Sequence, residues 1–427
     1  MVFFTPVSND SYGSPSGDAS SIAGKALSKK PVRPVCIVSC SSQKAGDAAT
    51  EAERLYRSDT FILARRYAQA NADRWFIFSA KHGLLAPGSR IESYDQKIAG
   101  LSARETAELT RRLARQIKKF QLKGKGRCIS LCDLEYNGVL HAAGLEIATR
   151  PVEHLDRLRK LEWLRIHTDP HGTEPDLELA YQAVQRLILG RAPQPLGELV
   201  RSNLPDSGVY VFFDLEERRL IEPSALRIVR VGTHRVAAGS RATLRDRLRT
   251  HLGSASGGGN HRSSIFRLHV GRALMARDGR SQPKSWGSTS IPTAAAQRAR
   301  EAELEAEVSS YIGNLRVAII DVPGDASKHN ERAYLEQNLI ALISNGYRPL
   351  DPASHNWLGL KSDRKEIRGS GLWNVNHTAQ TYQQTFLPLL NYYVARTLGE
   401  PSVGPRPDVS PDWSIDVRRD IHQLSLL

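Results

Sequence analysis

The sequence predicts an α/β domain with a mostly parallel sheet, followed by a second domain of α+β type. Three observations carry this reading. Between residues 33 and 190, short apolar runs alternate with amphipathic helical runs, as in a parallel sheet with helices on both faces. At residues 191–205, Arg191-Ala-Pro-Gln-Pro-Leu-Gly is a Pro-rich break that reads as a linker. Beyond it, residues 207–214 and 227–233 read as the two strands of a hairpin. Helical segments and a later strand, residues 315–322, accompany them.

Taken in order, residues 1–32 are rich in Ser, Gly and Pro and are expected to form a disordered leader. Residues 35–39 read as the first strand. Residues 52–70 read as a helix with Leu55, Phe61, Ile62 and Tyr67 among its apolar positions, and residues 75–78 as the second strand. Residues 102–120 form a basic helix, with Ser102 and Glu105 spaced as a capping box. A third strand follows at residues 128–131, then a helical stretch from Gly138.

Each strand runs into a polar turn: Cys40-Ser-Ser-Gln-Lys44, Ser79-Ala-Lys-His-Gly83 and Asp133-Leu-Glu-Tyr-Asn137. Open α/β sheets bind ligands beyond the carboxyl ends of their strands. Lys44, Lys81, His82, Glu135 and Tyr136 are therefore expected to share one pocket for a small molecule or nucleobase, with ordinary polar loops as the alternative. The four cysteines fall in two CxxxC pairs, Cys36/Cys40 and Cys128/Cys132. Adjacent strands could bring them together on zinc, but buried free thiols in a reduced cytosol are the stronger expectation.

The 427 residues suffice for two or three domains. No run is long enough and apolar enough to span a bilayer, and no apolar signal-peptide core is seen, so a cytoplasmic location is expected. A formal charge of +14 and a pI near 9.7 point to a polyanionic partner, with nucleic acid first among them.

In the second domain, Thr243 and Asp246 are spaced as a capping box, and Leu244, Leu248 and Leu252 form a buried stripe. Arg247 and His251, four residues apart, stand along one edge of that stripe, while Arg245 and Arg249 look solvated on the other flank. Residues 331–346 read as a helix stopped by Asn345-Gly346. Its apolar face carries Leu335, Leu339, Ile340, Leu342 and Ile343, and Glu336 falls inside that face. An ionised carboxylate there is costly unless a cation or hydrogen-bond donors meet it. Residues 254–264 form a Gly-rich loop in which Asn260 and Arg262 suit contact with a phosphate backbone; a simple tether is the alternative. After Leu398 the chain becomes Pro-rich, and residues 399–427 read as a tail ending in a short amphipathic piece.

Two resemblances sharpen these expectations. The elements Cys40-Ser-Ser-Gln-Lys44, Leu55-Tyr-Arg-Ser-Asp-Thr-Phe61, Ser79-Ala-Lys-His-Gly-Leu84 and Tyr94-Asp95 are similar to a bacterial α/β domain family known mostly from uncharacterised proteins. The first also resembles an element of tRNA-base-modifying enzymes of the archaeosine-synthase type. This implies nucleobase or nucleotide handling, with N-glycosidic chemistry as one form of it.

Gly208-Val209-Tyr210, Arg230-Val231-Gly232, Arg247 with His251, and Leu335-Glu336 resemble, in that order, the elements of a GIY-YIG nuclease. The helix with Glu336 is similar to the metal-binding helix of excision-repair nucleases of the UvrC type. The family's closing Asn is best matched by Asn356, with Asn374 as runner-up. The resemblance implies an α+β GIY-YIG domain over residues 206–398, with a small antiparallel sheet flanked by helices. It implies Tyr210, Arg247, His251, Glu336 and Asn356 as catalytic residues, and Glu336 as ligand to Mg²⁺ (or Mn²⁺). Arg230 stands where the family usually has Tyr and is grouped with the substrate contacts.

The chemistry agrees, because phosphodiester hydrolysis needs a base, a positioned water and positive charge at the phosphorane. A metal-dependent DNA endonuclease with a base-recognising domain is expected, for restriction or phage defence. RNA is left open as substrate, and a homodimer would suit a two-strand cut. A nucleic-acid-binding regulator with an inactive nuclease domain is the rival reading.

Overall fold

The computed structural model describes residues 34–409, apart from residues 47, 123–127, 191, 235–241, 255–257, 292–293, 325–328 and 401–403. The expected leader and most of the expected tail lie outside the described residues.

In the first domain β1 (Val35–Ser39) lies between β2 (Arg74–Ser79) and β4 (Cys128–Ser130), parallel to both, and β3 (Gly83–Leu85) adds an antiparallel edge beyond β2. The alternation of β1 splits its side chains between two cores. Cys36 and Val38 pack with α1 (Asp59–Asn71) and α4 (Arg157–Thr168). Ile37 packs with α2 (Ala103–Lys119) and α3 (Leu134–Ala142). The same alternation separates the cysteines. Cys36 faces one core, and Cys128 and Cys132 face the other. Burial pushes the Cys128 and Cys132 thiols up to about 12. All four cysteines are free, and among the described residues they join no cluster that could hold a metal ion.

The expected helix over residues 52–70 is broken. Ala52–Leu55 is a short turn of helix, and a new helix starts when the Ser58 hydroxyl accepts the Phe61 N–H. The Ser102–Glu105 capping box forms in full.

The second sheet runs in the order Gln194–Pro195, β7 (Arg316–Asp321), β5 (Gly208–Arg218) and β6 (Leu226–Gly232), all antiparallel. Val209, Val211 and Phe213 of β5 pack against α5 (Glu174–Gly190), α9 (Glu331–Ser344) and α10 (Phe386–Leu398). Tyr210 and Phe212 face α6 (Leu244–Leu252), α7 (Ile265–Arg277) and α8 (Ala295–Asn314).

Two expected boundaries differ. Helix α5 fell within the expected first domain, but its Leu177, Ala180, Tyr181, Val184 and Leu187 join the core of the second. The expected linker is built in as well: Gln194–Pro195 pairs with β7, while Leu196 and Leu199 are buried. Among the described residues no helix is long and apolar enough to cross a membrane.

The domains touch through polar contacts. Arg66 bonds Glu174 at 2.9 Å, and Arg54 donates to the Glu216 carbonyl at 2.8 Å. His355 Nδ1 lies 3.1 Å from Glu53 Oε1.

Candidate active site and a second polar centre

The open end of the β5–β6 hairpin is built around two glycines. A Cβ on Gly208 would come within 2.3 Å of the Ile320 carbonyl, so the bare residue lets β7 close on β5. Gly232 pairs with Tyr210 across the ladder, and a Cβ there would meet the Tyr210 ring at 2.3 Å. The phenol can lie over β6 only because Gly232 has no side chain. One residue further down, a register slip between the Arg230–Phe212 and Ile228–Phe213 pairs leaves Val229 as a bulge. Arg230 stays in phase with Gly232, on the Tyr210 side of the sheet.

The Tyr210 hydroxyl lies 2.9 Å from His251 Nε2, and His251 Nδ1 lies 2.8 Å from Ser264 Oγ. Ser264 is the N-cap of α7 and also accepts the Arg267 N–H. Arg267 is buried; it pairs with Glu305 and donates to the His251 and Leu252 carbonyls at 3.0 and 2.8 Å, which fixes the end of α6. Burial, with Arg230, Arg247 and Arg267 nearby, pulls the His251 imidazole well below its ordinary value. The ring is neutral at physiological pH.

Arg230 is 6% exposed, stands over the Phe266 ring and donates to the Trp373 carbonyl at 2.8 Å. The Tyr210 hydroxyl and the charge of Glu336 lie close to its guanidinium. Arg247 is half-exposed, and no hydrogen bond or ion pair holds it among the described residues. Glu336, in the second turn of α9, is partly open to solvent although Leu335, Leu339, Ile340, Leu342 and Ile343 around it are buried. Burial pushes its carboxyl up to about 7, against the pull of Arg230, Arg247 and the Thr233 N–H. A carboxylate so incompletely satisfied fits a divalent cation.

The structure thus brings Tyr210, Arg230, Arg247, His251 and Glu336 together, but not the other three expected residues of this domain. Asn356 is exposed and donates to Glu51 of the first domain at 2.6 Å. It belongs to the contact between domains. The runner-up Asn374 is at the hairpin: it accepts the Val231 N–H at 3.1 Å and donates to the Val231 carbonyl at 2.8 Å. With Trp373 N–H on the Val229 carbonyl, it covers the free edge of β6. Arg262 is tied up by both Glu301 oxygens at 3.0 and 2.9 Å, so it is no free phosphate contact. Asn260 is exposed and turns its side-chain oxygen to the Arg262 N–H. Arg245, expected in solvent, donates to the Val200 and Ser202 carbonyls. Ser264 and Arg267 were missed; Ser264 carried a cue, a hydroxyl just before a helix.

The first domain's turns do not make one pocket. Lys44 and Lys81 stand over the Tyr94 ring, at 4.7 and 5.6 Å, and His82 meets its edge. Tyr94 shares a buried bond with Tyr56 and donates to Ser79 Oγ, each at 2.7 Å. Burial, Lys81 and Arg112 lower the His82 imidazole. Tyr136 bonds the Cys40 thiol at 3.4 Å, and Glu135 is exposed. A separate crevice of about 510 Å³ opens beyond β1 and β4, lined by Cys40–Gln43 and Asp133 but also by Ser58, Thr60, Arg157 and Lys160. The last four lie outside the three turns.

Glu51, Glu53 and His355 bring ligand atoms within 4.8 Å of one another between the domains. Each is already ion-paired: Glu51 with Arg54, Glu53 with Arg65, and His355 with both glutamates.

A family model described as GIY-YIG domain matches residues 172–399, and one described as a family of unknown function (DUF6884) matches residues 35–166. Neither a curated protein nor a solved structure matches the chain.

Proposed function

The chain belongs to the GIY-YIG domain family, a family of nucleases, and from that premise we propose that it is an active divalent-metal-dependent DNA endonuclease. The observation that carries this reading is the convergence of Tyr210, His251, Arg230, Arg247 and Glu336 at one end of the hairpin.

With Ser264 donating to Nδ1, the neutral His251 ring presents Nε2–H to the Tyr210 oxygen. Arg230 supplies a second donor there. Both donors orient the Tyr210 oxygen, which serves as the base towards the attacking water. Arg230 thereby gains a role at the position where tyrosine is usual. The unpaired Arg247 suits bidentate contact with the scissile phosphate. Glu336 would hold the cation, Mg²⁺ by preference, since Mg²⁺ keeps several waters and needs few carboxylates. When bound, the ion supplies positive charge to the phosphorane and the leaving oxygen.

The first domain is proposed to recognise a base, with its Lys44, Lys81, His82 and Tyr94 cluster and the neighbouring crevice as its two polar features. Reading a base is favoured over cutting its glycosidic bond, because Glu135 is exposed and no hydrogen bond or ion pair among the described residues directs it. Base recognition joined to strand cleavage suits restriction or phage defence against modified DNA.

Plasmid nicking in Mg²⁺ against EDTA tests the central claim. DNA bound but not cut, whether modified or plain, would leave the rival reading of an inactive binding protein. Arg230 in place of tyrosine is the observation that favours that rival.

A further inference from the structure

We propose that the crevice beyond β1 and β4 is a nucleotide site that takes a 5′-phosphorylated nucleotide, either free or extruded from a strand. This deepens, and rests on, the reading of the first domain as a base-recognising module.

The chain leaves β1 towards β2 on one side, then crosses to β4 on the other, so the strand order reverses at β1. Loops leaving the two sides of such a point diverge, and the gap between them is where open α/β sheets bind ligands. The gap here is about 510 Å³, within the range of small-ligand sites.

Its walls are chemically unequal. Helices α1 and α4, of 13 and 12 residues, both start at the rim, where Thr60 and Arg157 line the space. Ser58 and Asp156 cap one N–H each, on Phe61 and Arg159, leaving the other first-turn donors of both helices. Two helix N-termini converging on one space favour an anion.

Arg157 adds a full charge: it is exposed and has no hydrogen bond or ion pair among the described residues. Lys160 is 4% exposed and held 2.6 Å from Asp133, so it neutralises the carboxylate that would repel a phosphate. Phe61, Leu131 and Leu155 also line the space and offer apolar surface to a base or sugar. Anion-binding and apolar lining together in a space of this size suit a mononucleotide.

The test uses the full chain. Calorimetry compares deoxynucleoside 5′-monophosphates with the corresponding nucleosides, and a duplex carrying 2-aminopurine reports extrusion by its fluorescence. The variants are Arg157→Glu, which reverses the free charge, and Ser42→Trp, which plugs the mouth from an exposed position. Melting temperature checks that both fold.

Either monophosphate binding or a fluorescence rise is expected, the first marking a free ligand and the second an extruded one. Each should weaken by about tenfold or more in both variants, and free nucleosides should bind at least about tenfold less well than monophosphates. Absence of both signals, signals unchanged in both folded variants, or nucleosides binding as well as monophosphates would overturn the proposal. Glu336→Gln should leave every one of these signals intact. A failure of the nuclease reading is therefore seen separately, as cleavage that survives Glu336→Gln.

Discussion

Glu53 is buried in the first domain and Glu336 is partly open to solvent in the second, and their carboxyls move in opposite directions. Burial pushes both up. For Glu53 the partners win: Arg65, together with the His355 ring and backbone N–H, brings the carboxyl from 4.5 down to about 2. For Glu336 burial wins, and the value rises from 4.5 to about 7 although Arg230 and Arg247 lie near. The difference lies in direct contact. Glu53 has a hydrogen-bonded imidazole and an ion-paired guanidinium, whereas Glu336 feels its two arginines through space and has one backbone N–H. A carboxylate held by direct partners is a fastening; one without them, beside the unpaired charge of Arg247, is a candidate for chemistry.

The largest test of that contrast is Glu336→Gln. It should reduce DNA cleavage by about 10³-fold or more with DNA binding retained, because the amide removes the charge that would hold the cation. Normal cleavage by this variant, in a nicking assay with gel-shift control, would erase the distinction between the two glutamates.

Next come the groups around Glu336. Arg247→Ala and Tyr210→Phe should each cost about 10²- to 10³-fold in kcat. Arg247→Ala should also leave the fold intact, since no hydrogen bond or ion pair among the described residues holds that side chain. Unchanged single-turnover rates for both would mean that the hairpin end is a packing motif.

How far the sequence shows this site depends on what each residue answers to. Tyr210, Arg247, His251 and Glu336 are legible because strand and helix periodicity fix which face each side chain takes. Glu336 stands out as a charge on an apolar stripe. Asn356 and Asn374 sit in irregular chain, where no period assigns a direction, and only the folded edge of β6 chooses between them. Arg262 misleads because its partner Glu301 is 39 residues away, on a helix the loop does not predict. In the first domain the parallel sheet follows from strand-helix alternation. The pocket does not, since Arg157 and Lys160 arrive on a helix beyond the last strand.

The other side of the comparison is tested by Glu53→Gln. A carboxyl held at about 2 instead of 4.5 corresponds to about 3 kcal/mol at neutral pH, so the variant should lose about that much stability. The signs give a pH window. The Glu53 value is lowered, so its contribution is present above pH 4.5 and fades as the pH falls towards about 2. The His355 value is raised above 6.5 by Glu53, so its contribution is complete below pH 6.5 and is lost as the pH rises through the raised value. The contact between the domains should be strongest between these limits. Melting curves of wild type and His355→Gln should diverge most near pH 5.5 and converge as the pH rises through the raised His355 value. Curves that stay parallel from pH 5 to 9 would show that the pair does not fasten the domains.

The smallest effects separate the two asparagines. Asn374→Ala orphans the buried N–H and carbonyl of Val231 and should cost about 1–3 kcal/mol, with a matching loss of order at Arg230 and Gly232. Asn356→Ala removes one exposed bond to Glu51, which keeps Arg54 as a partner. It should cost less than about 1 kcal/mol and leave kcat within about twofold of wild type. A larger fall in kcat for Asn356→Ala than for Asn374→Ala, at equal folded fraction, would return the closing-asparagine role to Asn356. The contact between the domains would then be part of the cleaving site rather than a joint beside it.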